Sequence, residues 1–79
     1  MSEAIAPLDA RGLRCPEPVM LLHARVRRLA PGAELEVIAT DPSTQRDIAA
    51  FCEHLGHHLL ESREQDGEYF FRIRKRERA

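Results

Sequence analysis

The stretch HHLLESREQDGEYFFRIRKR, residues 57–76, consists of two runs, HHLLESREQ and EYFFRIRKR, joined by Asp66-Gly67. Asp-Gly is a favoured two-residue hairpin turn, because both central positions of a type I′ turn need positive φ. An antiparallel hairpin here decides the fold class, since the chain before it alternates strands with helices and so builds parallel pairing first. The sheet must then be mixed.

Upstream of the hairpin, Gly56 is a residue able to adopt the left-handed conformation that ends a helix. Ile48, Phe51, Cys52 and Leu55 precede it at i, i+3, i+4 and i+7, the spacing of one helical face. Asp41 or Ser43 can cap that helix, and Pro42 suits a turn or a first helical position. Before them ELEVIAT, residues 34–40, alternates Leu35, Val37 and Ala39 against Glu34, Glu36 and Thr40, with Ile38 making both faces partly apolar. Val19, Leu22, Val26 and Leu29 mark another amphipathic helix, stopped at Pro31-Gly32. LDARG, residues 8–12, reads as a short strand ending near Gly12, and residues 1–6 read as a loose terminus.

The order is therefore βαβαββ. Strands one and two run parallel through a right-handed crossover. Two helices with one apolar stripe each pack on the same sheet face, giving an α+β two-layer sandwich with a mixed four-stranded sheet. With 79 residues the chain is read as one domain over 1–79.

Hydrophobic residues make up 43% and charged residues 32%, values of a folded domain rather than a disordered chain. A formal net charge of −1 gives no bulk attraction to nucleic acid or to an anionic membrane, although RIRKRER at 72–78 is locally basic. Alternating arginines on a terminal edge either hold phosphate or protect an exposed strand, and protection is the favoured reading. The sequence carries no apolar signal-peptide core and no bilayer-spanning run, so a cytoplasmic location without membrane association is expected. In that reducing compartment Cys15 and Cys52 are read as thiols.

GLRCPEP, residues 12–18, sets Cys15 before two prolines. Pro16 fits the first helical position, which places Cys15 as the cap of helix one. There a helix dipole favours the thiolate by about 0.3–1 kcal/mol, and Arg11 and Arg14 add positive charge. Pro18 removes another donor and Glu17 opposes the thiolate at close range, so a modest lowering of the thiol pKa is expected. Rigidity is the surer contribution of Pro16 and Pro18. A displayed nucleophile and a small buried apolar residue remain level on pattern alone.

LDARGLRCPEPVM, DPSTQRDI and FC together resemble the TusA/SirA-like family of small sulfur carriers, from Leu8 through the final strand. The Cys-Pro-x-Pro motif is matched by Cys15, Pro16, Glu17 and Pro18. The resemblance implies a two-layer sandwich like the C-terminal domain of a bacterial translation initiation factor. It implies a sulfurtransferase in which Cys15 receives a persulfide sulfur from a cysteine desulfurase and passes it to a downstream sulfur-relay protein. The implied destination is the wobble uridine of certain tRNAs, reached indirectly, with molybdenum cofactor synthesis or sulfur oxidation as other branches. No resident cofactor is expected, only a transient persulfide on Cys15.

Around this centre, Met20, His23 and Arg27 fall on a helix face adjoining Cys15 where a partner can dock, or form a solvated flank. Asp41 is read first as a helix cap and second as part of a partner surface. Cys52, on the apolar stripe, is read as packing. His54, His57 and His58 match no zinc spacing, and no metal is expected. Two rival functions have discriminating tests. An RNA-binding module predicts salt-dependent tRNA binding that survives Cys15→Ser. A thiol redox regulator predicts oxidation-dependent partner binding without sulfur loading.

Overall fold

A computed structural model describes residues 5–77. Residues 1–4 of the expected loose terminus lie outside these described residues, as do the last two residues of the chain. The elements are β1 (Leu8–Ala10), α1 (Glu17–Arg27), β2 (Glu34–Ala39), α2 (Thr44–Leu55), β3 (His58–Gln65) and β4 (Glu68–Arg74). This is the βαβαββ order expected from the sequence.

The sheet runs β1-β2-β4-β3. β1 pairs parallel with β2, Leu8 opposite Val37 and Ala10 opposite Ala39. β4 pairs antiparallel with both β2 and β3. The hairpin turns at Asp66 and Gly67, whose φ values of 54° and 78° are the two positive angles that a type I′ turn requires. A register shift between Leu59 and Glu61 inserts Leu60 as an extra residue in β3 and leaves it exposed.

Alternation in the strands sends one set of side chains under the helices. Leu35, Val37 and Ala39 of β2 and Tyr69, Phe71 and Ile73 of β4 meet Leu22 and Val26 of α1 and Ile48, Phe51 and Cys52 of α2. Leu29 and Leu55, the last members of the two helical stripes, are only partly buried against this core. Pro18 is fully buried, so the second proline packs against the core as well as stiffening the chain. α2 ends at Gly56 with φ 79°, the left-handed cap expected for it.

The opposite sheet face carries Glu36, Ile38, Glu61, Arg63, Phe70 and Arg72. Arg72 lies 3.5 Å from Glu36 and 3.6 Å from Glu61, and the Arg63 guanidinium sits 4.3 Å from the centre of the Phe70 ring. These exposed ion pairs add little stability, but they keep the face wet. Among the described residues, no helix is long and apolar enough to cross a membrane.

Candidate functional site: a thiol between two helix entrances

Parallel pairing of β1 with β2 puts the ends of both strands at the same edge of the sheet, so the loops that follow them lie side by side. The backbone N–H of Gly12 donates to Thr40 Oγ1 at 2.9 Å, and the N–H of Cys15 donates to Asp41 Oδ2 at 2.7 Å. Asp41 Oδ1 meanwhile accepts from the Ser43 N–H at 3.0 Å. One carboxylate thus ties the segment entering α1 to the segment entering α2. This differs from the cap expected of it. Ser43 is the N-cap of α2 and makes no side-chain capping bond, whereas Asp41 closes the turn before the helix and reaches across to Cys15.

The start of α1 also differs from the expectation by one residue. Pro16 is the N-cap and Glu17 the first helical residue, with Cys15 just outside; the Cys15–Pro16 peptide bond is cis. Pro16 and Pro18 have no N–H, and that of Glu17 is taken by the Arg14 carbonyl at 2.8 Å. The first turn of α1 therefore has few donors left for a thiolate, which removes the expected source of stabilisation.

The Cys15 thiol is exposed, and its pKa is raised rather than lowered. Asp47 as hydrogen-bond partner is the largest cause, followed by partial desolvation and the negative charges of Asp47 and Asp41; the Ser43 hydroxyl acts weakly the other way. Arg11 does not supply the expected positive charge. Its guanidinium makes paired bonds to Asp9, 2.9 Å each, and lies 3.6 Å from Glu68. That pairing lowers the Asp9 carboxyl to about 2. The Arg14 charge acts on Asp41, and neither Arg14 nor Glu17 is a cause of the Cys15 shift.

Cys15 stands at the mouth of a groove of about 410 Å³ between the helices, lined by Cys15, Pro16, Val19, Asp47, Ala50, Phe51, His54 and Leu55. His23 reaches its wall by an edge-on contact with Phe51, ring centres 5.8 Å apart. Met20 is 62% exposed in the second turn of α1. Arg27, at the far end of α1, lines a separate depression with Ala24 and Arg28. The face expected to hold Met20, His23 and Arg27 together is thus spread along the helix, and His23 is its member in contact with the groove wall.

Sequence reasoning missed Asp47, and it considered His54 only as a metal ligand. Asp47 lies four residues after Ser43 in DPSTQRDI, one helical turn further on the same face. Read with the parallel β1–β2 pair, that spacing would have pointed both side chains toward the chain leaving β1. Cys52 is buried, and desolvation pushes its thiol up to about 11. His57 Nδ1 accepts the Arg76 N–H at 3.1 Å. Among the described residues no three His, Cys, Asp or Glu side chains gather as a metal site.

A family model described as Sulfurtransferase TusA matches residues 6–75 of this chain. The chain belongs to the TusA family. Among its TusA relatives, the sulfur carrier protein TusA of Pseudomonas paraeruginosa (strain PA7) is 63% identical over 71 residues, 90% of each chain. That of Pseudomonas putida (strain W619) is 62% identical over 71 residues, 90% of this chain and 89% of the relative. A crystal structure of a SirA-like protein from Desulfitobacterium hafniense superposes with a TM-score of 0.79, covering 89% of this chain and 96% of that one. Its identity of 24% makes it a likeness of fold. The TusA match contains all of the groove-lining residues and both loops that meet at Cys15.

Proposed function

We propose that this chain is a sulfur carrier in which Cys15 accepts a persulfide sulfur from a cysteine desulfurase and hands it to a downstream relay protein. The observation that carries this reading is the exposed Cys15 thiol on the wall of an apolar groove, its backbone N–H held by Asp41 and followed by two prolines, while Cys52 is buried. Membership of a family whose relatives are named sulfur carriers supports it.

In loading, the Cys15 thiolate attacks the outer sulfur of the donor persulfide. A new S–S bond forms, the donor's S–S bond breaks, and the donor cysteine leaves as a thiolate. In unloading, an acceptor thiolate attacks the outer sulfur on Cys15, and Cys15 leaves. A raised pKa makes the thiolate scarcer at neutral pH but more nucleophilic when formed, with a Brønsted coefficient of about 0.4–0.5. The chain needs no cofactor of its own for this exchange, which belongs to the sulfur atoms. Delivery to the wobble uridine of tRNA through the relay is the destination we assign, with the molecule acting in the cytoplasm.

Incubation with a cysteine desulfurase and sulfur-labelled cysteine tests the reading. Wild type and Cys52→Ser should gain the mass of one sulfur atom and carry label that a reductant removes, whereas Cys15→Ser should gain neither. Equal loading of Cys15→Ser would refute the assignment.

A further inference from the structure

The sulfur of Cys15 is exposed, yet its surroundings oppose the charged form. Asp47, in the first turn of α2, shares the wall of the groove with Cys15 and is itself mostly buried, its side chain 21% exposed. Besides Cys15, Arg46 also lies beside it, its Nε 3.3 Å from Oδ1; Arg46 is 80% exposed, so water screens that pairing. The bond from the Cys15 N–H to Asp41 fixes the cysteine backbone against the same helix entrance. Ser43 Oγ is buried there without a well-formed hydrogen bond.

Asp47 and Asp41 act on the sulfur directly, and the other charged or titratable groups of the elements around it lie further out. α2 supplies Asp47, with Arg46 beside it, and His54 on the groove wall; the β2–α2 loop supplies Asp41, with the Arg14 charge acting on it; α1 supplies Glu17 in its first turn. The positive end of the α2 dipole is thereby matched by a resident carboxylate instead of being left to the thiolate.

We propose that Asp47 is a positioning residue that holds Cys15 as a hydrogen-bonded, uncharged thiol in the free protein, so that an exposed sulfur stays unreactive until a docking partner covers Asp47 with a cationic side chain. The step is an exchange of partners. A lysine or arginine on the carboxylate takes the place of the S–H donor, the thiol proton passes to water, and the thiolate is left facing the groove. This regulation rests on the reading of Cys15 as the sulfur-accepting residue. It adds a reason why a carrier can display a nucleophile without losing it to every oxidant or electrophile it meets.

Alkylation of the free protein by iodoacetamide, followed across pH by mass analysis of the Cys15 peptide, tests the proposal without any sulfur donor. In Asp47→Asn and Asp47→Ser the midpoint of the pH profile should move down. The rate near neutral pH should rise about three- to fourfold for each unit of that shift, the tenfold gain in thiolate being offset in part by lower nucleophilicity. Asp47→Glu should restore the wild-type profile, and adding guanidinium ion at low concentration should speed wild type more than Asp47→Asn. Two variants guard against failure of one to fold, which thermal melts would reveal. An unchanged midpoint in a folded Asp47→Asn or Asp47→Ser protein overturns the proposal. Because the assay omits desulfurase, such a result leaves the loading experiment untouched, and a failure of loading leaves this profile interpretable.

Discussion

Asp41 satisfies two backbone donors with one side chain, and those donors belong to segments 26 and 2 residues away in sequence. Its carboxyl is held below the usual carboxylate range, first by the Cys15 N–H and then by the Ser43 N–H. A carboxyl whose folded pKa is depressed contributes stability above its unfolded value, near 3.8, and loses it as pH falls through the lower folded value. Substitution separates the two bonds. Asn retains one acceptor oxygen, so Asp41→Asn should preserve one of them, whereas Asp41→Ala preserves neither. Amide hydrogen exchange at Cys15 and Ser43 should quicken in the order wild type, Asn, Ala. Full protection of both amides in the Ala variant would show that the loops hold together without this carboxylate.

The hairpin, the two helical stripes and the Gly56 cap were legible because each depends on residues close together in the chain. Asp66-Gly67 needs only its own two φ angles, and a helical stripe needs only a repeat near 3.6. The start of α1 was harder, because Pro16 and Pro18 compete for the same turn and the Arg14 carbonyl claims the amide of Glu17. The partners of Cys15 were harder to read for another reason: Asp41 in the β2–α2 loop and Asp47 in the first turn of α2 reach it through lateral packing of the two helix entrances, far from it in sequence. His57 shows the same non-local dependence. It follows α2, yet its Nδ1 accepts from Arg76 beyond β4, a bond that requires that nitrogen to be unprotonated. Burial, then the charges of Arg76 and Lys75, lower its pKa. The contribution of this bond is therefore complete above the usual value of 6.5 and declines as pH falls below it. Melting temperatures should drop from about pH 8 to about pH 5.5 more steeply in wild type than in His57→Gln; parallel slopes would remove His57 as the cause.

With 79 residues and typical stabilities of roughly 0.05–0.15 kcal/mol per residue, the whole domain has about 4–12 kcal/mol in reserve. Its single core joins every element, so loss at one position is felt throughout. Ile73, on β4 between β2 and β3, is fully buried. Ile73→Ala should cost about 2–5 kcal/mol and Ile73→Val about 0.5–1.5 kcal/mol. Urea unfolding should place the Ala variant near the edge of stability while the Val variant stays folded. Nearly equal midpoints for the two would mean that neighbouring strands collapse into the space and that the core is less tightly packed than it looks.

Both helices cover one face of the sheet, and the ladder of Glu36, Arg72 and Glu61 leaves the reverse side hydrated. That division gives the molecule a back as well as a front. A fluorophore or surface tether fastened among those arginines and glutamates would sit across the sheet from the sulfur, so an immobilised copy could still meet successive donors and acceptors and report each visit.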